Sequence, residues 1–168
     1  HLNLRKMLSV VPERRISNPK YVNRDYRIDD DLIVDVKKFL LHGKGRSLKL
    51  EPQKALNNRN KSVGGQLSVD LERMLNYELD CEIVACLSDQ RGRKFLDIDT
   101  IRIVTRGSAG QSFAAFCNDG LLFEHTGTCN DGVGKSACGG KIVIKSPPGG
   151  GQQYGENVLV GNFALFGA

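Results

Sequence analysis

The chain has 168 residues, with 24 Lys and Arg against 19 Asp and Glu and a formal net charge of +5. That length suits one domain, or one domain with an extension, and is enough to bury a core. At 40% hydrophobic and 26% charged residues the composition is ordinary for a soluble globular chain, and no run reaches the ~20 apolar residues of a membrane helix.

Glycine and charge are unevenly placed. Residues 1–106 hold 5 Gly, 21 Lys+Arg and 15 Asp+Glu, whereas residues 107–168 hold 14, 3 and 4. The shift divides the chain into a basic extension or linker at 1–28, a helix-containing segment at 29–106, and glycine-rich coils at 107–168. The start, His1-Leu2-Asn3-Leu4-Arg5-Lys6, has no Met and no secretory pattern, and reads as a cut piece of something longer.

Along residues 1–27, Arg5, Lys6, Arg14, Arg15, Lys20, Arg24 and Arg27 face only Glu13 and Asp25. Clustered cations suit a nucleic-acid arm, but with only Tyr21 and Tyr26 to stack on bases a solvated linker or strap is favoured. Asp29, Asp30 and Asp31 then open a helix over 29–42, with Leu32, Ile33, Val36, Phe39 and Leu40 on one face and Gly43 as its stop. Residues 47–51 alternate like a short strand, and 57–60 read as a turn. The spacing of Leu67, Leu71, Met74 and Leu75 predicts a second helix over 66–77, with Ser68 as its cap. Residues 83–87 form a compact apolar run, and 97–105 read as a strand.

Short alternating segments then recur at 101–105, 121–125, 141–145 and 157–160, their starts 20, 20 and 16 residues apart. Between them sit glycine corners, for which the candidates are Gly107, Gly110, Gly132, Gly134, Gly139, Gly140 and Gly161, beside the run at 149–151. A period near 20 with glycine at the corners and no helix between strands predicts a parallel β-helix, in which stacked turns bury faces that no single turn can bury alone.

Gly132-Val133-Gly134-Lys135-Ser136 superficially suggests a phosphate loop, but Cys129 stands where the first glycine is needed and no helix follows. Gly107-Ser108-Ala109-Gly110 lacks the glycine spacing of a nucleophile elbow. Asp97 with Asp99, and Glu124 beside His125, are candidate carboxylate sites but read better as solvent-facing strand residues. The five cysteines, Cys81, Cys86, Cys117, Cys129 and Cys138, contain no close pair of the kind zinc sites use, so reduced buried thiols are favoured over disulfides or metal. No catalytic, cofactor or metal residue is assigned.

Four stretches, 107–116, 130–135, 139–144 and 156–162, together resemble the C-terminal GXGXG domain of the glutamate synthase large subunit. Asn58-Arg59-Asn60-Lys61-Ser62-Val63-Gly64-Gly65-Gln66-Leu67-Ser68 is similar to that family's Asn-x-x-Arg/Lys-x-x-Gly-x-x-Leu-Ser element. The resemblance covers roughly 29–168. Ala114 and Ala115 stand where the family commonly has Gly, and Cys117 and Cys129 are unusual fillers.

The resemblance implies a right-handed parallel β-helix with one or two flanking helices. It further implies a non-catalytic structural role, holding amidotransferase and synthase domains in register in an enzyme that makes glutamate from glutamine and 2-oxoglutarate. FMN and a 3Fe-4S cluster belong to other domains of such an enzyme, so no cofactor is expected in this chain. The chain alone is expected to be inactive, and to be cytoplasmic or, for a plant-type parent, plastid. Association through the open end of the coils is a further expectation. The alternatives are a stand-alone GXGXG subunit beside separate catalytic chains, as in formylmethanofuran dehydrogenase, and a basic nucleic-acid-binding protein.

Overall fold

The computed structural model describes residues 3–5, 27–81, 83–149 and 158–168. The basic arm at 6–26 and the start of the fourth expected strand, Asn157, lie outside the described residues.

Helix α1, Ile28–His42, carries Asp29, Asp30 and Asp31 in its first turn, where carboxylates complement the helix dipole. It buries Leu32, Val36, Phe39 and Leu40, at about 2 kcal/mol for each large side chain. It ends where Gly43 N donates to Phe39 O at 2.8 Å. Strand β1, Leu48–Leu50, follows. Helix α2, Gly65–Arg73, is shorter than its apolar spacing suggests and passes into one π-helical turn, Met74–Glu78. Asn76 lies in that turn. Its amide donates to Glu72 O and Lys94 O at 3.1 and 3.0 Å, and accepts from Lys94 N at 2.8 Å. Ser68 does not cap α2; it lies inside the helix and donates to Gly64 O at 2.7 Å.

The apolar run at 83–87 leads into β2, Cys86–Ser88, which pairs antiparallel with β3, Lys94–Leu96. Residues 97–100 form a turn rather than the start of a strand, with Thr100 N donating to Asp97 O and Asp99 at φ +56°. Asp97 and Asp99 therefore share no strand face. Strand β4, Ile101–Ala109, runs straight through the composition shift at Arg106-Gly107. It pairs parallel with β5, Leu121–Cys129, in a register of Ile101 to Leu121 and Ala109 to Cys129. Strand β6, Lys141–Lys145, continues the sheet, and Val160 contributes an isolated bridge to Cys129.

The β-helix expectation is corrected here. Among the described residues the regular strands form one four-stranded parallel sheet, in the order β1-β4-β5-β6, and a separate two-stranded antiparallel sheet, accompanied by two α-helices. The fold is mixed rather than mainly β. Two features account for this. The returns at 110–120 and 130–140 are turns, not further strands. A helix and a hairpin also stand between β1 and its partner β4, which the 20-residue period of the later strands does not reveal.

One face of the sheet supplies Ile101, Ile103, Leu121, Phe123 and His125, all essentially without solvent contact. Phe113 from the return packs edge-on against Phe123, ring centres 5.7 Å apart. Leu67, Leu71 and Met74 close the same core. No helix among the described residues is long and apolar enough to cross a membrane.

Candidate interaction site

The returns between strands stack on one another through an unusual backbone. Residues two apart take left-handed φ values: Ser112, Ala114 and Phe116 in one return, Gly132, Gly134 and Ser136 in the next, Phe163, Leu165 and Gly167 in the last. Ser62 and Gly64 begin the series. Neighbouring rows are joined by backbone bonds. Ala114 N donates to Val63 O, Gly134 N to Phe113 O and Leu165 N to Val133 O, at 2.8, 2.9 and 2.7 Å. In the flanking column the direction reverses, with Ser62 N donating to Gln111 O and Ser112 N to Asp131 O, both at 2.8 Å. Left-handed geometry at a non-glycine residue costs roughly 1–2 kcal/mol, and the row-to-row bonds hold it.

Among the described residues no earlier row precedes the first to receive Gly64 N. Asp29 takes that place. Its Oδ1 accepts Gly64 N at 2.8 Å, and its Oδ2 accepts Gln66 N and Leu67 N at 2.9 and 3.2 Å. One carboxylate on α1 therefore ends the ladder of returns and caps α2. Asp29 is buried, and burial pushes its pKa up while the three N–H groups pull it down.

Of the seven candidate glycines, Gly107, Gly132, Gly134 and Gly140 carry positive φ. Gly110, Gly139 and Gly161 do not; they stand where another group comes close, the Asp119 carboxylate at Gly139 and the Asp131 carboxylate at Gly161. Gly107 stacks on Gly127 in register, and a Cβ on Gly127 would overlap the Gly107 carbonyl. Ala114, at φ +53°, occupies a left-handed position that suits glycine.

The acidic candidates separate. Glu124 points outward, accepting Arg102 at 2.7 Å, which with Lys145 holds its pKa below the usual range. His125 points inward and is fully buried. Its Nδ1 lies 2.9 Å from Thr105 Oγ1 and its Nε2 3.1 Å from Gly107 O, so Nε2 carries the hydrogen and Nδ1 accepts from the threonine. Burial lowers the His125 pKa. Arg93 ties α2 to the return after β4, gripping Glu72 through two bonds at 2.8 and 2.9 Å and Asp119 at 3.1 Å. Burial pushes Cys117 and Cys129 up to about 12, which keeps both protonated at neutral pH. Burial, reinforced by the neighbouring Cys81 thiol, pushes Cys86 up to about 11.

Where the ladder is capped, a groove of about 620 Å³ opens between the start of α1, the 57–62 turn and α2. Arg27, Arg59 and Lys61 stand around it, Val63 and Ile28 form its floor, and Val69 and Phe116 its rim. Phe116 is 48% exposed and Val69 47%. The sequence marked 57–60 only as a turn. The nearest available sign of the groove was the pair Arg59 and Lys61 in an element that also contains Gly64 and Leu67, both of which Asp29 contacts.

Comparison with known proteins identifies the family. The model of the family described as GXGXG motif matches residues 29–168. This chain belongs to the GXGXG family. It is a GXGXG domain of the kind glutamate synthase large chains carry. Glutamate synthase [NADH] of Saccharomyces cerevisiae is 40% identical over 114 residues, covering 61% of this chain and 5% of that protein. The glutamate synthase [NADPH] large chain of Bacillus subtilis is 44% identical over 82 residues, 49% of this chain and 5% of that one. Ferredoxin-dependent glutamate synthase 2 of Synechocystis is 29% identical over 141 residues, 84% of this chain and 8% of that protein. The chain thus spans a small fraction of the length of each of these relatives.

Proposed function

We propose that this GXGXG domain is a non-catalytic structural part of a glutamate synthase, packing against the amidotransferase and FMN/iron–sulfur synthase domains and holding them in register. The match of the family model over 29–168 carries this reading, together with relatives that are glutamate synthases. The geometry suits the role. Rows of returns joined by backbone hydrogen bonds, a parallel sheet in unbroken register and a shared carboxylate cap make a stiff body that transmits position rather than deforming.

In this reading the chemistry of glutamine hydrolysis and reductive glutamate formation sits on other domains, with FMN and the cluster bound there, and the enzyme works in the cytoplasm or a plastid. The test is a glutamate synthase large chain deleted of this domain, assayed with and without the chain supplied in trans. The isolated chain is expected to retain no flavin and to hydrolyse no glutamine, and its addition to restore glutamine-dependent glutamate formation. Flavin bound by the isolated chain, or full activity of the deleted enzyme, overturns the proposal.

A further inference from the structure

We propose that the groove bounded by the start of α1, the 57–62 turn and Phe116 is a docking site for an acidic, apolar-tipped segment of polypeptide on the catalytic part of the enzyme. This rests on the scaffold reading above and names the surface through which it acts.

Three observations converge on it. Arg27, Arg59 and Lys61 all line the groove, and none of them pairs with a carboxylate among the described residues. Other surface cations do find carboxylates, as Lys49 does with Glu51, Arg73 with Glu78 and Lys141 with Asp99; what sets these three apart is that they line one groove together. The one acid lining the basic end among the described residues, Asp29, is buried and turns both oxygens to backbone N–H groups, so it makes no direct pair with these cations. The amino end of α2 is likewise occupied by Asp29 and adds no free donor.

Phe116 supplies the second observation. It holds φ +58° and keeps its ring half exposed at the rim beside Val69. A bulky residue in left-handed backbone costs stability that a glycine there would not, and its exposed ring returns little of it through this chain's own core. An aromatic presented beside two arginine-type and lysine cations is the composition that protein interfaces favour, where guanidinium groups meet carboxylates bidentately and an aromatic anchors the centre.

The third is the apolar floor of Ile28 and Val63, both buried, which suits an apolar side chain between the carboxylates of the occupant. A single-stranded nucleic acid would use the same cations, but it stacks successive bases on several aromatics and the groove offers one. The relatives carry this domain within chains more than ten times its length, since it covers 5% to 8% of each, so polypeptide is the surface it meets.

The test uses the intact glutamate synthase that carries this chain. A carbodiimide condenses the Lys61 amine with any carboxylate in direct contact, forming an amide with the oxygen leaving as urea. Mass spectrometry is expected to find Lys61 joined to an Asp or Glu outside residues 1–168. In parallel, the chain is titrated against the remaining large-chain polypeptide. Arg59→Glu with Lys61→Glu is expected to weaken binding by roughly tenfold or more, while Arg59→Lys with Lys61→Arg keeps it. Both positions are exposed, so the melting temperature of the charge-reversed chain stays at the wild-type value.

Affinity unmoved by charge reversal, Lys61 joined only within 1–168 or to nothing, or nucleic acid retained in place of polypeptide each overturns the groove as the docking site, and persistent association then leaves the scaffold reading intact. No association of the wild-type chain at all overturns the scaffold reading and this proposal with it.

Discussion

Replacing Asp29 with alanine tests whether one carboxylate ends both α2 and the ladder of returns. The substitution removes acceptors from Gly64 N, Gln66 N and Leu67 N. Gln66 is exposed and water can reach its N–H, but Gly64 and Leu67 are buried. Each buried donor left unpaired costs about 1–3 kcal/mol, and loss of a helix cap about 1 kcal/mol. These overlap, so Asp29→Ala is expected to cost about 3–5 kcal/mol, against a total stability of about 5–15 kcal/mol. Asp29→Asn keeps one acceptor and is expected to fall near half of that loss. Urea unfolding followed by circular dichroism reads the shift in midpoint at constant slope. Amide exchange reads the mechanism, since Gly64 and Leu67 should lose protection first. A cost below about 1 kcal/mol for Asp29→Ala would show that the cap is not structural and refute the reasoning.

Three other outcomes follow from the same geometry. Gly127→Ala places a Cβ against the Gly107 carbonyl at φ +141° and is expected to cost about 3 kcal/mol or more, read as a lower thermal midpoint. Ser136→Gly should do the opposite: at φ +54° it relieves left-handed strain of about 1 kcal/mol and raises the midpoint by about 2–4 °C. His125, whose pKa burial lowers, takes up fewer protons in the folded chain than in the unfolded one between its folded value and the ordinary histidine value of 6.5. Stability should therefore decline as pH falls through that window and level off below it. Unfolding titrations from neutral to acid pH compare wild type with His125→Gln, which should flatten this part of the profile; an identical slope in both removes His125 as its source.

Local patterns explain which parts of the fold were readable in advance. The helix over 29–42 announces itself through apolar spacing, an acidic first turn and Gly43, all of which act within one turn of chain. Strands at 101, 121 and 141 announce themselves through repetition, and the 20-residue offset is the register between β4 and β5. The second helix was placed but overrun, because Asn76 diverts the backbone toward Lys94, a contact 18 residues away. The hairpin of β2 and β3 carries only three residues in each strand, too few for alternation to show.

The returns were harder to foresee. Glycine at Gly132 and Gly134 hinted at left-handed backbone, but Ser112, Ala114 and Phe116 take the same conformation without the residue type that signals it. Aligning the returns by their strand offset puts those residues in the columns of Gly132, Gly134 and Ser136, which is the sign that was available. Gly110, Gly139 and Gly161 mark close approach instead of positive φ, a distinction set by neighbouring chain.

By itself the amino-acid sequence determined the helix faces, the strand repeat and the glycine-rich character of the last 62 residues, because each depends on residues close in the chain or on exact repetition. Only the tertiary structure decided that the strands form one parallel sheet beside an antiparallel pair. Only it brought Asp29 to Gly64 across 35 residues, and Arg27 and Phe116 to one groove. Those outcomes rest on backbone bonds between rows and on one buried carboxylate, and such partners are fixed by packing, not by any local pattern.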